Sequence, residues 1–247
     1  MHKLVFLTFL ALVCVTERSV AQLNVSTHNR IVTADSSYWV SVEVSGDVSV
    51  NAVSLAFGLN DGGAAAGGTE NASVIGSSLD HTMWDTDPAT GTVSTPGLSN
   101  VVFTPVLPTG ATVADMLGAS VSSSATASAG SVLLYLELDL SSKMPGETVM
   151  LNPDFAGLTQ AIGPNASAIG IASVSAGTLK ITRKGDANGD GVVNNLDIGG
   201  FILALTNFAG YAAANPGIDG LSVLDFSGDG IVNNLDLGGF ISALTGI

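Results

Sequence analysis

The sequence predicts a mainly β chain, a sandwich of short strands followed by a small all-α module. Three observations carry this. Apolar residues alternate with a period of two through most of the chain. Clusters of Gly, Ser, Asn and Pro, such as Asn60-Asp61-Gly62-Gly63 and Pro145-Gly146, cut that part into short runs. Beyond residue 184 the apolar residues recur at helical spacing instead. A length of 247 residues suits one to two domains. The expected division is a leader at 1–21, a β-sandwich domain at 22–183 and a helical domain at 184–247.

The leader has a basic start (His2, Lys3), an apolar run at 4–15 and small residues at Ser19-Val20-Ala21. This is the pattern of a secretory signal peptide cut after Ala21. The run is too short to span a bilayer comfortably. Cys14, the sole cysteine, follows Val13 where a lipid-attachment site wants a small residue, and its isolation excludes a disulfide framework. The mature protein is expected outside the cytoplasm, secreted or at the cell surface.

The strands follow from alternation. Tyr38, Val40, Val42 and Val44 interleave with Trp39, Ser41 and Glu43, and Val53, Leu55, Phe57 and Leu59 repeat the pattern. Val132, Leu134, Leu136, Leu138 and Leu140 are set against Leu133, Tyr135, Glu137 and Asp139. Shorter candidates lie at 101–103, 149–151, 169–171 and 179–181, and 111–117 reads as one helical turn. One face of each strand should enter a core and the other meet water.

The formal charge is −14, from 7 Lys plus Arg against 21 Asp plus Glu. So acidic a chain lacks the cations that displace phosphate counterions, which excludes nucleic acid as a partner. Its 46% hydrophobic content excludes a disordered acidic chain.

An internal repeat dominates the C-terminal part. Residues 186–207 and 225–246 match at 16 of 22 positions with an offset of 39. Each copy opens with twelve residues carrying oxygen-bearing side chains at positions 1, 3, 5, 9 and 12 and Gly at 6, the EF-hand spacing. Ca2+ is a hard cation that takes six to eight oxygens. The first loop offers Asp186, Asn188, Asp190, the Val192 carbonyl, Asn194 and Asp197. The second offers Asp225, Ser227, Asp229, the Ile231 carbonyl, Asn233 and Asp236. Two calcium ions are therefore expected, with the neutral Ser227 weakening the second site. Ile198, Phe201, Ile202 and Leu205 after the first loop, and Leu237, Phe240, Ile241 and Leu244 after the second, each form one apolar helical face. Gly199-Gly200 and Gly238-Gly239 sit in the first turns, each costing about 1 kcal/mol against Ala. Metal binding should supply much of the module's folding energy.

Two D-x-[NS]-x-D-G-x-[IV]-N-x-x-D-type loops, each followed by a helix at the C-terminus, resemble a type I dockerin. The tail is also similar to the dockerin-like C-termini of secreted planctomycete-type proteins. The resemblance implies an adaptor that docks to a cohesin-type protein domain in extracellular polysaccharide-related assemblies. It implies partner contacts at Asn195, Leu196, Leu203, Asn234, Leu235 and Ser242. Family members carry basic residues around Ile202-Leu203 and Ile241-Ser242, so docking here would use apolar contacts. The front domain is similar to cohesin and carbohydrate-binding sandwiches in its strand order.

No catalytic residue is assigned. The mature chain has only His28 and His81 and lacks a G-x-S-x-G elbow. Asp80-His81 with Asp85 and Asp87 reads as a polar loop before a metal cluster. Glu137 and Asp139, with Glu43, are the acids a glycoside hydrolase would need. Such an enzyme, targeted by the tail, is one alternative. A carbohydrate-binding or cell-surface structural protein is another, with Trp39, Trp84 and Tyr135 as candidate sugar platforms.

Overall fold

The computed structural model describes residues 21–34, 37–60, 72–79, 81–84, 113–119, 125–154, 157 and 159–246. Residues 1–20 of the expected leader, with Cys14, the run at 101–103, and Asp80, Asp85 and Asp87 lie outside them.

The described strands, in chain order, are β1 (Gln22–Ser26), β2 (Arg30–Thr33), β3 (Ser37–Ser45), β4 (Val48–Val50), β5 (Ala52–Asn60), β6 (Ser73–Ser78), β7 (Val113–Ala119), β8 (Ala125–Ala127), β9 (Ser131–Asp139), β10 (Thr148–Asn152), β11 (Gln160–Ile162), β12 (Ala168–Ser175) and β13 (Gly177–Thr182). They hydrogen-bond in the order β2-β13-β10-β5-β11-β12-β1-β3-β9-β6, with β7 on the other edge of β5 and β4 paired to β8. The ladder folds over at β12, which pairs β11 through Ile169 and Ala168 and then β1 from Gly170 to Ser175. Two layers result, and their inward residues form one core that includes Val42, Phe57, Leu136, Leu138, Leu151 and Ile181. Burying each such side chain stabilises the fold by about 1.5–3 kcal/mol.

Alternation places β3 as expected, with Val40, Val42 and Val44 buried. In β9 it fails at one point. Leu133 is buried and Val132 is only partly so, because the register slips between Val42 and Glu43 and Leu133 is the extra residue of a bulge. Residues 111–117 were expected as a helical turn. The stretch 113–119 is instead a strand, β7, paired with β5 from Ala52 to Gly58. Pairing with a neighbouring strand overrides local helix propensity.

Four helices follow: α1 (Asp197–Thr206), α2 (Phe208–Ala214), α3 (Gly220–Leu224) and α4 (Leu237–Thr245). They enclose a second cluster of Ala187, Phe201, Ala204, Tyr211, Val223, Leu224, Val232 and Phe240. None of the described helices is long and apolar enough to cross a membrane.

The helical part is joined to the sandwich by backbone pairing. β2 ends the ladder, and the segment between α2 and α3 takes its open edge. The Ile31 N–H donates to the Gly217 carbonyl at 2.7 Å, and the Asp219 N–H donates to the Ile31 carbonyl at 3.0 Å. This is strand addition to an exposed edge within one chain. Thr33 bonds Ser222 through both its N–H (2.9 Å) and its hydroxyl (3.0 Å). The Tyr38 hydroxyl donates to Asp219 at 2.9 Å. Burial, then the Asp219 charge and hydrogen bond, push the Tyr38 phenol well above its ordinary range against the opposing Arg30 charge.

Candidate metal and docking site

The two loops repeat one bonding scheme. At position 1, Asp186 accepts from the Gly191 N–H and Asp225 from the Gly230 N–H, each at 2.8 Å. At position 5, Asp190 and Asp229 accept from the N–H of Val192 and Ile231, each at 2.9 Å. At position 9, Asn194 and Asn233 accept from Leu196 and Leu235, each at 2.7 Å. At position 12, Asp197 accepts from Asn188 and Asn194 at 3.1 and 2.8 Å, and Asp236 from Ser227 and Asn233 at 2.8 and 2.7 Å. The sharp turn at position 6 uses positive φ at Gly191 (96°) and Gly230 (82°).

Asp186, Asp197, Asp225 and Asp236 are buried, whereas Asn188, Asp190, Ser227 and Asp229 are exposed. Burial pushes the Asp197 carboxyl up, the N–H donors of Asn194 and Asn188 oppose it, and the charges of Asp186 and Asp190 push it further up. Burial also raises Asp225, but the bonds from Gly230, Gly228, Ser227 and Asp229 together hold it below the ordinary carboxylate range. Buried carboxylates close to other carboxylates stay ionised only where donors or positive charge compensate them.

Among the described residues no three His, Cys, Asp or Glu side chains stand close enough to hold a metal ion by themselves. Amide, hydroxyl and main-chain oxygens would have to complete either site. Asp190, Asp197, Asp229 and Asp236 each accept two N–H bonds and keep lone pairs for a metal. The all-oxygen, net-negative donor set therefore fits a hard divalent cation.

The loops differ in their surroundings. Asp186 accepts a very short bond from the Thr182 hydroxyl of β13. Lys180 donates to the Gly189 carbonyl at 3.0 Å. The buried Tyr211 hydroxyl donates to the Ala187 carbonyl at 2.9 Å. Burial, followed by the charges of Asp186, Asp197 and Asp219, pushes the Tyr211 phenol up to about 12.

The outer face shows a second duplication. Leu196 and Leu235 are 68% and 70% exposed, and Ile202 and Ile241 are 52% and 49% exposed. Val192 and Ile231, and Ile198 and Leu237, are matched exposed pairs as well. Asn195, Asn234 and Ser242 are exposed, as a contact residue must be. Leu203 departs from expectation: it is half-buried against the helical cluster, and its neighbour Ile202 faces out. The exposed Val192, Ile198, Ile202 and their counterparts went unassigned as contacts, although apolar identity at matched positions of the repeat could have flagged them.

The remaining candidates separate. Trp84 is a core residue of the sandwich, so it cannot serve as a surface platform. Trp39 is 45% exposed and Tyr135 half-buried. Glu137 accepts from Ser37 at 2.7 Å, and Glu43 lies 3.4 Å from His28. Asp139 accepts from the Ser141 hydroxyl and N–H, which hold its carboxyl below the ordinary range. A general acid needs the opposite shift.

No protein-family model matches the sequence, and no curated protein is significantly similar to it. Solved structures are similar in fold. The sixth cohesin of Acetivibrio cellulolyticus scaffoldin B, solved with a Cel5 dockerin mutant, is 12% identical with a TM-score of 0.45, over 65% of this chain and 99% of that one. The seventh ScaB type I cohesin of Pseudobacteroides cellulosolvens is 14% identical with a TM-score of 0.44, over 65% and 94%. A non-cellulosomal cohesin of the archaeon Archaeoglobus fulgidus is 11% identical with a TM-score of 0.43, over 66% and 92%. The fold itself is mainly β, with a few short helices at its C-terminal end.

Proposed function

We propose that the protein is a secreted adaptor whose C-terminal module, organised by two calcium ions, docks to a cohesin-type domain. The observation that carries this is the duplicated apolar face, in which Leu196, Ile198 and Ile202 are exposed in one copy and Leu235, Leu237 and Ile241 in the other. Exposed apolar side chains gathered on one element mark an interaction surface. The duplication lets either copy meet the partner. The module meets the sandwich at Gly217, Asp219, Ser222, Asp186 and Gly189, and these apolar side chains stay open to solvent.

Calcium would be held by Asp186, Asn188, Asp190, Asn194 and Asp197 with the Val192 carbonyl, and by Asp225, Ser227, Asp229, Asn233 and Asp236 with the Ile231 carbonyl. It would supply the positive charge that the buried carboxylates lack and fix the start of α1 and α4. The leader at 1–21 would direct export.

The test is binding of the immobilised full chain to purified type I cohesin domains, in millimolar calcium and after EDTA. Binding should vanish with EDTA and with the double variant Leu196→Asp/Leu235→Asp, and survive either single variant. Undiminished binding by the double variant would remove the proposed face.

A further inference from the structure

A separate cleft opens on the sandwich, and none of the candidate calcium ligands lines it. β1 pairs β3 only at Ser45, Val44 and Glu43, whereas β9 follows β3 all the way to Ser37. Beyond Ser26 the chain leaves β3 and crosses to the other layer. The crossing is pinned: Thr27 donates to the Leu151 carbonyl at 3.0 Å and accepts from the Gly177 N–H at 2.7 Å, and Asn29 accepts from the Thr178 N–H at 2.9 Å. The gap left beside β3 is a cavity of 170 Å³ lined by His28, Arg30, Tyr38, Trp39, Ser41 and Tyr135, among others.

Its lining joins a cation to aromatic rings. The chain has only 7 Lys and Arg, and one of them stands here beside three aromatic rings. Arg30 uses Nη1 for the carbonyls of Asn29 (3.2 Å) and Pro216 (3.1 Å). Among the described residues no carboxylate is paired with it. A guanidinium has five donors in a planar fork, so Nη2 and Nε remain for a bidentate carboxylate. The exposed Trp39 and the Tyr135 ring belong to the same outward face, since Trp39 opposes Glu137 and Tyr135 opposes Ser41 across β3 and β9. Flat rings suit the apolar face of a pyranose, and the hydroxyl groups of Ser41 and Tyr135 suit sugar hydroxyls.

The geometry points to a binding site for a carboxylated saccharide, with Arg30 receiving the uronate carboxylate and Trp39 stacking on the ring. This site stands apart from the docking face, so either can fail alone. Calorimetric titration of the full chain with trigalacturonic acid, maltotriose and triglutamate tests it. Trigalacturonic acid should bind, at least tenfold more tightly than the other two, with affinity falling as salt rises. Trp39→Ala and Arg30→Gln should each weaken it at least tenfold. Trp39→Ala leaves the Pro216 bond in place, and unchanged thermal melting certifies that variant as folded. Three results would overturn the assignment: no heat from the uronate at about 10 mM, equal binding of maltotriose or triglutamate, or unaltered affinity in the folded Trp39→Ala chain.

Discussion

Phe201 and Phe240 stack face to face, with ring centroids 4.0 Å apart and planes within 1° of parallel. They occupy the same position in copies offset by 39 residues. A residue packed flat on its own repeat equivalent lies at the axis relating the copies, so this pair holds the two halves together. Phe226 meets Phe240 edge-on at 6.5 Å and extends the cluster. Either Phe→Ala change should cost the helical part about 3–5 kcal/mol. The double variant should cost clearly less than the sum, because both deletions empty one shared space. Urea unfolding followed by helical circular dichroism reads this out, and strict additivity would contradict a shared core.

The paired glycines of α1 and α4 have unequal duties. A Cβ on Gly200 would stand 2.8 Å from the Ala187 Cβ, and one on Gly239 would stand 2.6 Å from Phe226 side-chain atoms. Nothing lies within 4 Å of a Cβ on Gly199 or Gly238. The second glycine of each pair therefore lets the helix approach position 2 of its own loop. Gly200→Ala and Gly239→Ala should destabilise by about 1–3 kcal/mol. Gly199→Ala and Gly238→Ala should instead stabilise by about 0.5–1 kcal/mol through helix propensity. Thermal melts of the four single variants must fall into these two groups for the packing argument to hold.

Strand alternation made β3 legible, because its inward valines depend only on the period of two. At Leu133 it failed, since a bulge is set by the partner strand and β3 supplies the slip at Val42. The stretch at 111–117 misled for a related reason: its local composition is neutral, and β5 decides its conformation. Trp84 carries no local mark of burial, and it enters the core beside a tight turn in which Thr82 bonds the Leu79 carbonyl at 2.6 Å. The loop oxygens stand at fixed spacing and could be read directly. The seam between Ile31 and Ile218 could not, because it joins segments far apart in the chain with no motif in either.

With calcium bound as proposed, the unequal settings of the loops should give unequal affinities. Loop one is braced from outside by Thr182, Lys180 and Tyr211, and carries Asn188 where loop two has Ser227. The Asp225 and Asp236 bonds described above all run within loop two. A braced loop loses less entropy on closing around an ion. Calcium titration of the full chain should show two steps about tenfold or more apart in Kd. Asp197→Ala should remove the tighter step and Asp236→Ala the weaker. The reverse assignment would show that bracing from the sandwich does not govern affinity.

Gly189 and Gly228 share position 4 of the two loops and a φ of 74°, yet only Gly189 faces the sandwich. A Cβ there would stand 2.8 Å from the Ile31 Cδ1 and 3.0 Å from the Ile218 Cδ1, whereas a Cβ on Gly228 meets nothing within 4 Å. Both Ala substitutions carry the backbone cost of a left-handed residue, about 1–2 kcal/mol. Gly189→Ala must in addition displace the two isoleucines whose backbones bridge β2 to the helical part. Its excess cost over Gly228→Ala should be about 1 kcal/mol, since side-chain ends can swing aside but the bridge must follow. Limited proteolysis around residues 183–185 should then be faster in Gly189→Ala and unchanged in Gly228→Ala. Equal melting and equal cleavage in the two variants would mean that the seam does not rest on this contact.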